Sequence, residues 1–144
     1  MTTRNLIYFS ITTLFTCFAN SVWFFEKIPL AIFIAGVGIA LTAASGVYVA
    51  SVFHDALASS ARGPLLFKSF LIAMVTALVA IIGQSMALGL AYSTGLGATL
   101  GYDETLVLLV IPIVSAFVLA LLLPFAFMLS VHLVKHRERS AFAP

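Results

Sequence analysis

Charged side chains are nearly missing from this chain: seven Lys or Arg and five Asp or Glu among 144 residues, 8% of the total, against about 25% in soluble domains. So little charge cannot keep a large water-facing surface hydrated. With 62% hydrophobic residues and a mean hydropathy of +1.18, the chain reads as an all-α integral membrane protein. Cysteine is as scarce. Cys17 is single and lies in an apolar run, so no intramolecular disulfide can form and cysteine usage does not report the redox compartment. Basic residues interleaved with aromatics are also missing, which removes nucleic acid as a partner, and none of the five acidic residues stands in the middle of an apolar run.

What is present is apolar length. A spanning helix takes about 20 apolar residues, and four runs qualify, at about 6–25, 29–53, 71–92 and 106–134. The chain has room for four spans with short loops in one transmembrane domain covering 1–144, and for little besides. The first run shares the basic start and apolar middle of a signal peptide, but it exceeds the roughly 7 to 15 residues of a signal core. It is read as a retained span ending in Trp23-Phe24-Phe25 at an interface, with Glu26-Lys27 in water.

Pro29 then suits the first turn of the second span, and Arg62-Gly63-Pro64 predicts a break between the second and third. After Tyr92 a loop with Gly95, Gly97 and Gly101 leads to an acidic helix start, where Asp103 or Thr105 is the expected cap. Pro112 and Pro124 lie inside the last run. Each removes one helix hydrogen bond, at Leu108 and Ala120 respectively, and predicts a kink that shapes the helix.

The basic residues predict the orientation. With the N-terminus inside, Arg4, Arg62, Lys68, Lys135, Arg137 and Arg139 fall on the cytoplasmic side and Lys27 alone falls outside, a split of 6 to 1. Both termini are therefore expected to be cytoplasmic, in a bacterial inner membrane.

Small residues mark the second span at four-residue spacing. Gly38, Thr42, Gly46 and Ala50 form one stripe and Gly36, Ala40 and Ala44 another, while the third span carries Ala73, Ala77, Ala80, Gly83, Ala87 and Gly89. At 3.6 residues per turn each series lies along one face, where another backbone can come close. The two spans are thus expected to pack antiparallel, or to offer these faces to other membrane subunits or to copies of the same chain.

The polar groups that stand out inside the spans are Asn20, Ser45, Thr76, Gln84 and Ser85, together with Thr42. Gln84 stands about 24 Å beyond Lys68 at ~1.5 Å per residue, in the outer half. An unpaired amide in hydrocarbon costs several kcal/mol. Its expected partners are Ser85, Thr42, Ser45, Asn20 or a neighbouring subunit. Gln84, Thr76, Thr42, Ser45 and Asn20 are the materials expected for a polar path, which a channel or transporter requires. His54, His132 and His136 fall at the cytoplasmic end, and His132 and His136 share a face with Met128, a spacing that could hold a haem or serve a quinone site. No catalytic residue set and no metal site is read.

The run Arg62-Gly63-Pro64-Leu65-Leu66-Phe67-Lys68-Ser69, followed by Ala80-Ile81-Ile82-Gly83, resembles the loop and second arm of a proteolipid hairpin from V-type rotary ATPases, over about residues 36–92. The resemblance implies a ring-forming subunit. Ion carriage in that family depends on a membrane carboxylate, which is missing here; Ile82 stands where the family has tyrosine, and residues 106–134 do not supply a second hairpin. The resemblance therefore implies at most a ring scaffold without ion transfer. The leading expectation is a non-catalytic structural or accessory subunit of a multi-subunit membrane complex. A channel or transporter, a ring subunit and a haem- or quinone-binding anchor are the alternatives.

Overall fold

Thr2 opens the first helix: its hydroxyl accepts a hydrogen bond from the Asn5 N–H at 3.3 Å, occupying one donor that the helix start leaves free. The computed structural model describes residues 2–21, 29–95 and 101–141. They form α1 (Thr3–Ala19), α2 (Pro29–Val52), α3 (His54–Ala58), α4 (Arg62–Ser93) and α5 (Tyr102–Ala141), and no strand occurs among them. Helices α2, α4 and α5 are each long and apolar enough to cross a bilayer. The 17 described residues of α1 extend about 25 Å and pack alongside them. The aromatic run Trp23-Phe24-Phe25 and Glu26-Lys27 lie outside the described residues, as does Gly97.

Three boundaries differ from the sequence expectation. Arg62-Gly63-Pro64 is the first turn of α4 and not a break before it, because Ala61 is the N-cap. A proline in the first turn forfeits nothing, since those N–H groups have no acceptor within the helix. The residues before it form the short helix α3, which was not expected. The last helix begins at Tyr102, and neither Asp103 nor Thr105 caps it: the Glu104 carboxylate reaches back to accept the Gly101 N–H at 3.0 Å. It then runs unbroken through Pro112 and Pro124, both buried, and continues through the basic tail.

The long helices form a four-membered ring in which α1 touches α2 and α5, and α4 touches the same two. Neighbours run antiparallel. Tyr8, near the start of α1, meets His54 beyond the end of α2, while Asn20 at the other end of α1 meets Ser115 in the first half of α5.

Glycines decide how closely the helices approach. A Cβ on Gly46 would lie 2.9 Å from Cγ2 of Thr12 and closer still to its hydroxyl, and one on Gly38 would lie 2.9 Å from Cδ of Gln84. On α4, Gly83 receives the end of Leu41. The stripe Gly38, Thr42, Gly46 and Ala50 is thus buried inside the bundle, together with Ala73, Ala77, Ala80 and Ala87. Gly36, Ala40 and Ala44 lie on the exposed side of α2, and a Cβ on Gly36 would meet nothing within 4 Å.

The bundle keeps most of its intramembrane polar groups inside and is apolar outside. Thr12, Thr16, Asn20, Thr42 and Gln84 have no exposed surface, whereas Phe18 is 72%, Phe117 67% and Leu90 64% exposed. A protein in water would gather such side chains in its core; an exterior of this kind has hydrocarbon as its solvent. Leu119, Leu123 and Phe127 fill the interior between α1, α4 and α5.

Gly46→Val should destabilise the bundle by about 1–3 kcal/mol or more through overpacking against Thr12, read as a lower Tm in detergent. Gly36→Ala should leave Tm unchanged. Equal effects of the two would refute the division of the small residues into an inner and an outer stripe.

Candidate functional site

The chemistry-bearing residues of α1 recur every fourth position: Tyr8, Thr12, Thr16 and Asn20, all without exposed surface. This spacing puts them on one inward face. The Thr12 hydroxyl donates to the Tyr8 carbonyl and the Thr16 hydroxyl to the Thr12 carbonyl, each at 2.7 Å, and Asn20 Nδ2 donates to the Thr16 carbonyl at 2.9 Å. Each donor is thereby spent on its own helix. The line is anchored at both ends, by Tyr8 with His54 and by Ser115 Oγ, which donates to Asn20 Oδ1 at 3.1 Å.

The facing helices behave alike. Thr42 donates to the Gly38 carbonyl at 2.7 Å and Thr76 to the Ile72 carbonyl at 2.9 Å. Gln84 is the exception, since it reaches across: Nε2 donates to the Ile34 carbonyl of α2 at 3.3 Å, and Oε1 is buried without a partner. None of the expected side-chain partners serves. The missing Cβ of Gly38 lets the amide lie against the α2 backbone, so a main-chain carbonyl is the acceptor. Ser45 is half-buried and Ser85 exposed.

At the basic end, His54 is buried, with Nδ1 3.0 Å from the Tyr8 hydroxyl and the two rings edge to face at 84°. In the Nε2–H tautomer, Tyr8 donates to Nδ1. Burial of the imidazole pushes His54 below its ordinary pKa. Arg4 and Lys135 act in the same direction, and Asp55 and Glu138 oppose them. Arg4 pairs with Asp55 at 3.6 Å, an exposed contact worth about 1 kcal/mol at most.

His132 and His136 are exposed and Met128 is half-buried. Among the described residues no three His, Cys, Asp or Glu side chains could hold a metal ion.

Sequence reasoning found Asn20, Thr42, Thr76 and Gln84 but missed Thr12, Thr16, Ser115 and the Tyr8–His54 pair. The four-residue spacing from Tyr8 to Asn20 was the available signal for the first helix; nothing local points from His54 to Tyr8 or from Asn20 to Ser115. No protein-family model, curated protein or solved structure matches the chain.

The His54 site predicts a pH dependence of stability. The unfolded chain takes up the imidazole proton near pH 6.5 and the folded one at lower pH, so this contribution is complete above about pH 6.5 and falls as pH drops below it. Tm should therefore be lower at acid pH than at neutral pH. His54→Asn, which keeps an acceptor toward Tyr8 and cannot titrate, should flatten the profile between about pH 5.5 and 7.5, the window set by the ordinary imidazole value. An unchanged acid sensitivity in this variant would remove His54 as its source.

Proposed function

We propose that this protein is a non-catalytic membrane subunit that spans the bilayer four times, with both termini cytoplasmic, and joins a larger assembly through a small-residue groove on its outer face. The observation that carries the reading is the division of the α2 stripes. The inner stripe is consumed by Thr12 and Gln84, whereas Gly36, Ala40 and Ala44 line an open groove of about 600 Å³ between α1 and α2, walled by Phe9, Thr13 and Val47. A groove floored by Gly and Ala at this spacing suits a partner helix, because backbones can approach closely there. The Thr13 hydroxyl at its edge is buried without a hydrogen-bond partner.

The distribution of charge supports the orientation. All six basic residues among those described lie at one end of the bundle, in α1's first turn, at the start of α4 and at the end of α5, while Asp103 and Glu104 lie at the other. Helical rather than barrel architecture favours the bacterial inner membrane over the outer. Against transport stands the bonding of the interior hydroxyls: Thr12, Thr16, Thr42 and Thr76 each donate to a carbonyl of their own helix.

Ala40→Leu fills the groove without touching the inner stripe. The unaltered protein should run as a high-mass species on a native gel and Ala40→Leu should not, at unchanged Tm; a high-mass species lacking in the first or intact in the second would refute the groove as the contact. A C-terminal green fluorescent protein fusion should fluoresce and a C-terminal alkaline phosphatase fusion should be inactive in bacterial cells. The reverse pattern would overturn the orientation.

A further inference from the structure

The basic residues at the α1/α5 end are not equally occupied. Lys68 Nζ donates to Ser60 Oγ at 2.8 Å and to the Ala56 carbonyl at 3.4 Å, and Lys135 Nζ donates to the Ala58 carbonyl, so both lysines close the end of α3. Arg4 has its exposed contact with Asp55. Arg137 has no ion pair and no side-chain hydrogen bond among the described residues; its backbone carbonyl alone is used, by Ser140 Oγ. A guanidinium in that position is an unspent cation with five donors.

Arg137 and Arg4 line one pocket of about 200 Å³ between the first turn of α1 and the last turns of α5. Thr3 adds a hydroxyl to its wall, and the first-turn N–H groups of α1 bring the positive end of a helix dipole to the same place. Glu138 is the acidic group on the wall. The apolar lining follows a pattern. Ile7 lies three residues beyond Arg4 on α1, and Val134 three residues before Arg137 on α5, so on both helices an apolar side chain sits one turn deeper than the arginine.

We infer that this pocket binds the phosphate of an anionic phospholipid from the leaflet that meets the basic end of the bundle. Arg137 and the first-turn amides of α1 receive the phosphate oxygens, Arg4 exchanges its exposed contact with Asp55 for the same phosphate, and the half-buried Ile7 receives the glycerol and the start of an acyl chain, with Val134 buried beneath. Free phosphate satisfies the arginines but leaves the accessible part of Ile7 uncovered at the edge of an apolar exterior, which is why a lipid is the occupant. A basic pocket between helices at the cytoplasmic surface is suited to this chemistry. The inference rests on the membrane reading of the bundle.

Native mass spectrometry of the full chain in detergent, with phosphatidylglycerol or phosphatidylcholine added, tests it. One phosphatidylglycerol should be retained in preference to phosphatidylcholine. Arg137→Gln should weaken that retention about fivefold, Arg137→Lys should keep most of it, and Glu138→Gln should strengthen it. Arg139→Gln, outside the pocket, should leave it unchanged. Equal retention of both lipids would overturn the site, and so would an equal loss in Arg139→Gln, which would mean diffuse attraction. Displacement of phosphatidylglycerol by equimolar inorganic phosphate would replace the lipid with a free anion. A protein that stays monodisperse in buffer without detergent removes the membrane reading itself, a failure distinct from these.

Discussion

An apolar exterior leaves no solvent to satisfy polar groups on the outer face of a helix, and the rest of this structure depends on that constraint. Thr12, Thr16, Thr42 and Thr76 each answer it in the same way, by turning inward and donating to a carbonyl one turn back on their own helix. A hydroxyl so satisfied asks nothing of its neighbour. The opposite helix can then meet it with a glycine, as Gly46 meets Thr12, and the backbones close to a distance that a Cβ would forbid. Small and polar residues therefore sit where the helices approach most closely, Leu119, Leu123 and Phe127 fill the space between, and many more Leu, Ile and Phe cover the outside.

The groups that reach between helices are few, and they sit where register matters. Gln84 ties α4 to α2 through the Ile34 carbonyl, Ser115 ties α5 to Asn20 beyond α1, and the Tyr8 hydroxyl ties α1 to the connector at His54. Such bonds between apolar helices are worth about 0.6 to 2 kcal/mol each, too little to drive folding but enough to select one rotation of each helix about its axis. The connector itself is held by charge. Lysines from α4 and α5 both donate to carbonyls of α3, so a five-residue helix with no core of its own is fastened between two long ones.

Much of the site could be read in the chain before folding, and the reason it was incomplete is specific. Gln84 and Asn20 announce themselves as amides in apolar runs, and the inner stripe from Gly38 to Ala50 announces itself by spacing. Thr12 and Thr16 are quieter, because a threonine in an apolar helix satisfies itself and leaves no imbalance to notice. The Tyr8–His54 contact joins residues 46 apart and the Ser115–Asn20 contact residues 95 apart. Neither follows from any local pattern. Pro64 misled for a related reason: a proline signals a helix boundary without saying on which side of it the helix lies.

Composition by itself determined that the described chain is helical and apolar outside, since hydrocarbon-facing surface and four-residue spacing are properties of single helices. It also determined that small residues would govern close approach. Tertiary structure alone decided which of two nearly equivalent stripes on α2 faces inward. The stripe of Gly36, Ala40 and Ala44 is as small as that of Gly38, Thr42 and Gly46, and helical periodicity cannot rank them. Thr12 and Gln84 arrive from two other helices to occupy the second stripe, and the first is left open on the outer face.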